Sequence, residues 1–258
     1  MESAYRIVNV TAENIHEHPQ VICFINPKQE SYHYKIDWLQ KRFDEGLKIK
    51  LIYPGNEKRA AGFIEYVPGE FAWRAVDAAG YLFIHCLWIN PDKHKHLGYA
   101  SRLIDECITE ARDQNKPGVA VVCSSGSFMA KSDIFLKNGF SVIETSGIHT
   151  LLIKPLMEGP APCFTDWKSK LAGYNGLSVI YSEQCPWVAR FIGELKDDPP
   201  PVKIALNMEK LDKPAQAQDA PSVYAVFNLV YNGRLLADHY ISRTRFMNIL
   251  KKEKLLLD

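Results

Sequence analysis

Hydrophobic and polar positions fall into two successive patterned blocks, separated by a stretch that follows neither helical nor strand periodicity. In the first block, residues 5–10 alternate as a short strand, with Thr11 and Asn14 behind it as capping candidates. Ile36, Leu39 and Phe43 share one helical face, which predicts a helix over 33–43 ended by Gly46. Residues 48–53 and 60–67, joined through Pro54-Gly55-Asn56, predict an antiparallel hairpin. A dense apolar strand is predicted over 81–89, stopped by Asn90-Pro91. Ala100, Leu103, Ile104, Cys107, Ile108 and Ala111 then recur at helical spacing until Asn115-Lys116-Pro117-Gly118. The block closes with a buried strand over 119–123, a Ser/Gly loop, a helix over 129–137, a turn at Asn138-Gly139, and strands near Val142 and over 149–153.

From 157 to 174, Gly159-Pro160-Ala161-Pro162 breaks both periodicities, and the stretch reads as a linker. The pattern then restarts: strand 177–181, helix 186–195, strand 202–206, and a Gln/Ala/Pro-rich loop over 212–220. Strands 223–231 and 235–241 meet at Asn232-Gly233, a strong hairpin signal because both residues tolerate positive φ. A helix over 243–256 ends the chain. No internal repeat is visible. The expectation is a chain of the α/β (α+β) class with two domains, 1–156 and 175–258, joined by a linker at 157–174.

Composition narrows the partners. Of 258 residues, 47% are apolar and 24% charged, which excludes disordered and collagen-like classes. Lys plus Arg is 31 against 30 for Asp plus Glu, so no bulk charge attracts nucleic acid or an anionic membrane, and neither is expected as a partner. No stretch approaches the roughly 20 apolar residues of a membrane helix. Met1-Glu2-Ser3-Ala4-Tyr5-Arg6 has no basic region followed by an apolar core, so no secretory signal is expected. Cys23, Cys86, Cys107, Cys123, Cys163 and Cys185 are scattered without a C-x-x-C, so neither a disulfide framework nor a metal site is expected. A reducing cytoplasm is the expected compartment.

The candidate chemistry lies where the 81–89 strand runs through Asp92-Lys93-His94-Lys95-His96-Leu97-Gly98-Tyr99 into a helix. The first N–H groups of a helix lack intrahelical acceptors and carry the positive end of the dipole, so such a mouth suits an anion. A basic loop before a helix is by itself unspecific. Here Lys95-His96-Leu97-Gly98-Tyr99-Ala100 stands against the pattern Arg/Gln-x-x-Gly-x-Gly/Ala, and the segment Phe135 to Phe140 matches aromatic-x-x-x-Gly-Phe. With the order of elements, residues 3–156 resemble the GNAT superfamily of acetyl-CoA-dependent N-acetyltransferases. The resemblance implies a mixed central sheet flanked by helices, acetyl-CoA as co-substrate, no metal, and an amine acceptor attacking directly in a ternary complex. It implies that Lys95, His96, Leu97, Gly98, Tyr99, Ala100 and Ser101 hold the coenzyme's diphosphate. Leu87 falls where a backbone N–H meets the thioester carbonyl, and Trp88 and Ile89 where the pantetheine arm lies. His85 falls where many relatives carry a strand Glu acting through water, and a neutral-range imidazole suits that task. A buried histidine satisfied by a neighbour is the equal alternative. Three departures stand out: Lys95 for Arg or Gln, a loop one residue longer, and Phe135 where many relatives have the Tyr that protonates the thiolate. A phenyl ring has no proton to give. Cys123, inside an apolar run, is expected to be core filler.

In the second block, Ser182-Glu183-Gln184-Cys185-Pro186-Trp187 leads from strand to helix. Pro186 suits the first helical position, and a thiol just before it feels the helix N-terminus. With Ala220-Pro221-Ser222 before a later strand, this half resembles the thioredoxin-like fold, Pro221 standing where that family keeps a cis proline. Cys185-Pro186-Trp187-Val188 lacks a second Cys, which removes an internal dithiol cycle. Single-Cys thiol chemistry, binding of thiol-containing substrates and structural packing remain open for Cys185. The stretches 14–24, 176–187 and 231–236, together with the pairing of halves, resemble the YoaP-type acetyltransferases. The first expectation is therefore an N-acetyltransferase acting on a small-molecule or peptide amine. The alternative is a thiol-binding or thiol-exchange protein acting through Cys185, with the first domain a CoA-binding sensor. The acceptor, and whether the chain is a monomer or homodimer, are left open.

Overall fold

A computed structural model describes residues 5–19, 23–126 and 128–257. The architecture is mixed α/β, in two compact units. The first draws on Met1–Ile25, Leu39–Ala72 and Asp77–Cys163, the second on Asn26–Trp38, Trp73–Val76 and Phe164–Asp258. The second unit thus takes two short segments from the N-terminal half, which the hydrophobic pattern alone did not associate with it.

In the first unit, β1 (Tyr5–Val10), β2 (Lys48–Pro54), β3 (Gly62–Pro68), β5 (Leu82–Ile89), β6 (Gly118–Ser124), β8 (His149–Pro155) and β7 (Ser141–Ser146) form a seven-stranded sheet in that spatial order. All neighbours are antiparallel except β5 and β6. The two-residue β4 (Val76–Asp77) precedes β5 in the chain, and α1 (Glu30–Phe43) begins earlier than the apolar face over 33–43 indicated. One face of the sheet, with Ile52, Ile64, Tyr66, Leu82, Ile84, Val119, Val121 and Leu152, is buried against α2 (Tyr99–Asp113) and α3 (Ser132–Lys137). Helix α2 supplies Leu103, Ile104, Cys107, Ile108 and Ala111, the residues whose periodicity predicted it. Helix α3 is shorter than the expected 129–137: Lys131, at φ −76 and ψ 153, is extended and stands as its N-cap.

The second unit holds a four-stranded sheet in the order β11 (Leu206–Lys210), β10 (Leu177–Tyr181), β12 (Phe227–Tyr231), β13 (Arg234–Ala237). β10 and β11 are parallel, and β12 runs antiparallel to both of its neighbours. Helices α5 (Pro186–Asp197) and α7 (Arg243–Lys252) belong to its core, with Phe191 of α5 meeting Phe227 at 5.7 Å and Phe246 at 5.4 Å between ring centroids. The hairpin turn is as expected, with Asn232 at φ +46 and Gly233 at φ +69.

Several boundaries differ from the expectation for identifiable reasons. The strand placed at 202–206 forms instead over Leu206–Lys210, an edge strand that alternates half-buried and exposed residues. The apolar run before it follows Pro199-Pro200-Pro201, and Val202 makes an isolated bridge to Leu256. β12 begins four residues late because Ala225 takes φ +63, and the buried Asn228 side chain donates to the Ala225 carbonyl at 2.8 Å. Short elements also occupy stretches read as irregular: β9 (Cys163–Phe164) and α4 (Trp167–Ala172) within 157–174, and α6 (Pro214–Gln218) within 212–220. α4 is nucleated by a cap, the Asp166 carboxylate accepting from the Ser169 N–H at 3.2 Å. Among the described residues, no helix is long and apolar enough to cross a membrane.

Candidate active site

The site begins at a defect in the first sheet. β5 pairs with β6 only through Leu82↔Val119, Phe83↔Ala120 and Ile84↔Val121. Beyond these residues β5 continues along β3 to Ile89, and β6 continues along β8 to Ser124. The facing edges of the two parallel strands therefore carry no strand partner over their C-terminal halves. The divergence coincides with a bulge: Tyr66 lies opposite Ile84 and Glu65 opposite Cys86, so His85 is the one residue β3 leaves unmatched. The inserted residue shifts the face that each later side chain takes. Leu82 and Ile84 face the α2 core, and after the bulge Leu87 and Ile89 pack against it. Trp88 lies on the other face, with Phe24 edge-on at 5.3 Å between centroids.

The direction of the backbone groups follows from one hydrogen bond. Asn90 N–H donates to the Ala61 carbonyl, on the β3 side, at 2.8 Å. Successive N–H groups of a strand point to opposite edges, so those of Trp88 and Cys86 also face β3. Those of Leu87 and Ile89 face the edge that β6 has left. Half-buried backbone donors without a ladder partner demand water or a ligand.

Across the basic loop, α2 opens with Gly98 at its N-cap at φ +81, a conformation that costs a side-chain-bearing residue and not glycine. No heavy atom lies within 4 Å of where its Cβ would stand, so the backbone, rather than crowding, requires glycine. The Gly98 carbonyl accepts from Arg102 N–H at 3.1 Å. The N-cap offers no side-chain acceptor, and the first turn holds no acidic residue. The N–H groups of Ala100 and Ser101 thus stand as donors at the positive end of a 15-residue helix whose N-cap makes no side-chain hydrogen bond. Ala100 and Ser101 are half-buried, while the Tyr99 side chain turns into the core.

The lysine side chains of the loop have carboxylate partners. Lys95 pairs with Asp92 at 2.7 Å, while Lys93 and the buried His94 both lie 3.5 Å from the Glu57 carboxylate. Leu97 is 54% exposed at the loop crest, and His96 takes φ +64. What remains to meet an anion at this mouth is chiefly backbone.

The proton-handling candidates separate sharply. His85 has no exposed side-chain surface, and its Nδ1 lies 3.3 Å from the Glu65 carboxylate, itself buried. The Phe83 ring stands edge-on to His85 at 5.7 Å. Glu65 was not among the residues singled out from sequence. The available signal was a carboxylate inside the apolar run Gly62-Phe63-Ile64-Glu65-Tyr66-Val67, where an ionised group needs a partner. Phe135 is completely buried and packs on Phe140 at 5.3 Å. Burial pushes the Cys123 thiol up to about 12, which keeps it protonated.

In the second unit, Cys185 is half-buried at the N-cap of α5, with Pro186 in the first turn. The neighbouring Gln184 accepts from the buried Arg74 guanidinium at 2.7 Å, and that guanidinium lies 4.8 Å from the centre of the Tyr224 ring. The Ala220–Pro221 peptide is trans, which departs from the cis proline that the resemblance places there. Of the stretch 14–24 that carried part of the YoaP-type resemblance, Gln20, Val21 and Ile22 lie outside the described residues.

Comparison with known proteins gives this geometry relatives. Residues 12–132 match the family model described as Acetyltransferase (GNAT) family. A protein of Bacillus subtilis (strain 168), named as the uncharacterized N-acetyltransferase YoaP, is 27% identical over 250 residues, covering 94% of this chain and 97% of its own. Among solved structures, the PaiA N-acetyltransferase of Thermoplasma acidophilum, in complex with coenzyme A, is 14% identical. It covers 59% of this chain and 99% of its own at a TM-score of 0.43. An acetyltransferase from Thermus thermophilus is 16% identical, covering 60% of this chain and all of its own at a TM-score of 0.43. These matches do not favour the thiol-exchange alternative. The chain is an acyltransferase, and the residues that build the splayed strands and the uncapped helix lie within its match to the GNAT acetyltransferase family.

Proposed function

We propose that the protein transfers the acetyl group of acetyl-CoA to the amine of a small molecule or peptide by direct attack within a ternary complex. The observation that carries this reading is the parting of β5 from β6 after Ile84 and Val121, which opens a slot between two strand edges beside the α2 mouth. The first turn of α2 at Ala100 and Ser101 suits a diphosphate, and the open space at Gly98 lets it approach the backbone. Lys95, His96 and Leu97 shape the loop around it. Leu87 and Ile89 flank the vacated edge and Trp88 the opposite face, where a pantetheine chain would run.

In this reading the Leu87 N–H donates to the thioester carbonyl oxygen as negative charge develops there, a donor fixed in place before the reaction. The amine must shed a proton to attack, and His85 receives it. Because the ring is sealed, the transfer runs through an intervening water. Phe135 gives no proton to the departing thiolate, so that proton comes from another group. The domain division follows the same reading: an acetyl-CoA-binding domain over 1–156, a linker over 157–174 and a thioredoxin-like domain over 175–258. The strand order β11-β10-β12-β13, with β12 antiparallel to its neighbours, supports the last. Six cysteines without a disulfide fit a reducing cytoplasm.

The test is release of free CoA thiol from acetyl-CoA across a panel of amines. Amine-dependent release that is lost in Leu87→Pro supports the reading. An absence of turnover on every amine, with no binding of acetyl-CoA, rejects it.

A further inference from the structure

The second unit carries a cavity of about 270 Å³ between residues 29–34 and the C-terminal half of α5. Its charged lining is lopsided. Glu30, Glu194 and Asp197 supply three carboxylates against the guanidinium of Arg190, whose Nε already donates to Glu194 at 3.1 Å. The Tyr34 hydroxyl donates to Glu30. That bond, then burial and the negative charges of Glu30, Glu183 and Asp197, push the phenol up to about 12, so it stays neutral. Asp197, the last residue of α5, is exposed and has no ion-pair partner among the described residues.

An acidic lining alone is an ordinary solvated surface. Three further features point to an occupant. Ser31 lines the cavity and is only 4% exposed, and its Oγ, like Gln29 Oε1, has no hydrogen-bond partner among the described residues. Buried polar atoms left unsatisfied are costly, and both of these can accept from a ligand's donor. Gly193 stands inside α5, where glycine weakens a helix, yet nothing lies within 4 Å of where its Cβ would be. Crowding within the protein therefore does not require the missing side chain, and Gly193 borders the cavity. Finally, the carboxylates do not converge on one point: among the described residues, no group of three His, Cys, Asp or Glu is placed to hold a metal ion.

We infer that this cavity binds a small organic amine, its ammonium groups met by the carboxylates of Glu30, Glu194 and Asp197 and by the oxygens of Ser31 and Gln29. The lining is negative and has unmet acceptors, so the partner it lacks is a cation that donates hydrogen bonds. Carboxylates set apart suit a chain with two amino groups better than a single ion. The last turn of α5 adds the negative end of its helix dipole, while the first turn of α1 opposes a cation and Glu30 offsets it there. The site is built from residues of the second unit and does not depend on the acetyl-transfer reading of the first.

Calorimetry on the full chain, without acetyl-CoA, compares diaminobutane, butylamine and butyrate as titrants. The expected result is saturable binding of diaminobutane, tighter than that of butylamine, and none of butyrate. The double variant Glu30→Gln/Asp197→Asn, at two exposed positions, weakens it about tenfold or more. Glu158→Gln, the same charge change at a residue outside the lining, leaves Kd within about twofold. Gly193→Leu fills the space and abolishes binding while raising Tm through better helix propensity, which separates loss of the site from loss of the fold. The proposal is overturned if neither amine binds, if butyrate binds as well, if Mg²⁺ displaces the diamine, or if the double variant keeps wild-type affinity. A protein that binds the diamine in this way but releases no thiol from acetyl-CoA keeps the site and loses the transferase reading.

Discussion

Ile84 lies opposite Val121 at the last paired position between β5 and β6, and the next residue along β5, His85, has no counterpart on β3. One inserted residue therefore does two things. It ends the parallel pairing that would otherwise close the slot, and it resets the alternation so that Leu87 and Ile89 rejoin the α2 face. The cleft is a consequence of strand register rather than of any loop.

Leu87→Pro deletes the N–H assigned to the carbonyl oxygen. Because that N–H points away from β3, the substitution removes no ladder hydrogen bond. kcat is expected to fall about 100-fold, the usual cost of losing one such donor, with acetyl-CoA affinity little changed. Steady-state kinetics beside a thermal melt checks it. A variant with normal kcat removes Leu87 from the mechanism.

Gly98→Ala places a methyl group in open space but at φ +81. The expected cost is about 1 kcal/mol of stability from the backbone alone, measured by urea unfolding. A cost near zero means that the loop relaxes to a different conformation.

Phe135→Tyr introduces the phenol that many members of the GNAT superfamily carry at this position. Phe135 is completely buried against Phe140, so the new hydroxyl is enclosed without a built partner. Stability is expected to drop by about 1–3 kcal/mol with no gain in kcat. A rise in kcat would mean that this position does face the departing sulfur.

Cys107 and Cys123 are buried, and burial holds both thiols above their ordinary range, Cys123 at about 12. Above the unfolded thiol value near 9, the unfolded chain releases protons that the native chain keeps, so stability falls as pH rises from about 9 toward 12. Denaturant midpoints at pH 8 and pH 10 check the sign. In native protein at pH 8, iodoacetamide is expected to label the exposed Cys163 well before either buried thiol.

Much of this was legible in the chain. The α2 stripe, the Asn232-Gly233 turn and the glycine at the helix mouth each follow from local spacing or a φ requirement, and each is where the sequence places it. Edge strand β11 was not, because an edge needs fewer apolar residues than the run that precedes it, and density misleads. The pairing of Glu65 with His85 depends on the register between two strands, and no pattern within either strand contains that. The assignment of 26–38 and 73–76 to the second unit is likewise a matter of long-range contact.

The central claim is that the backbone donors in the first turn of α2 bind the coenzyme's diphosphate. Ser101→Glu tests it directly, since a carboxylate in the first turn favours the helix itself while repelling a bound anion. Calorimetric titration with acetyl-CoA is expected to show saturable one-to-one binding to wild type, weakened about tenfold or more in Ser101→Glu at equal or higher helix stability. Equal affinity in the two proteins, or no heat from wild type, contradicts the account.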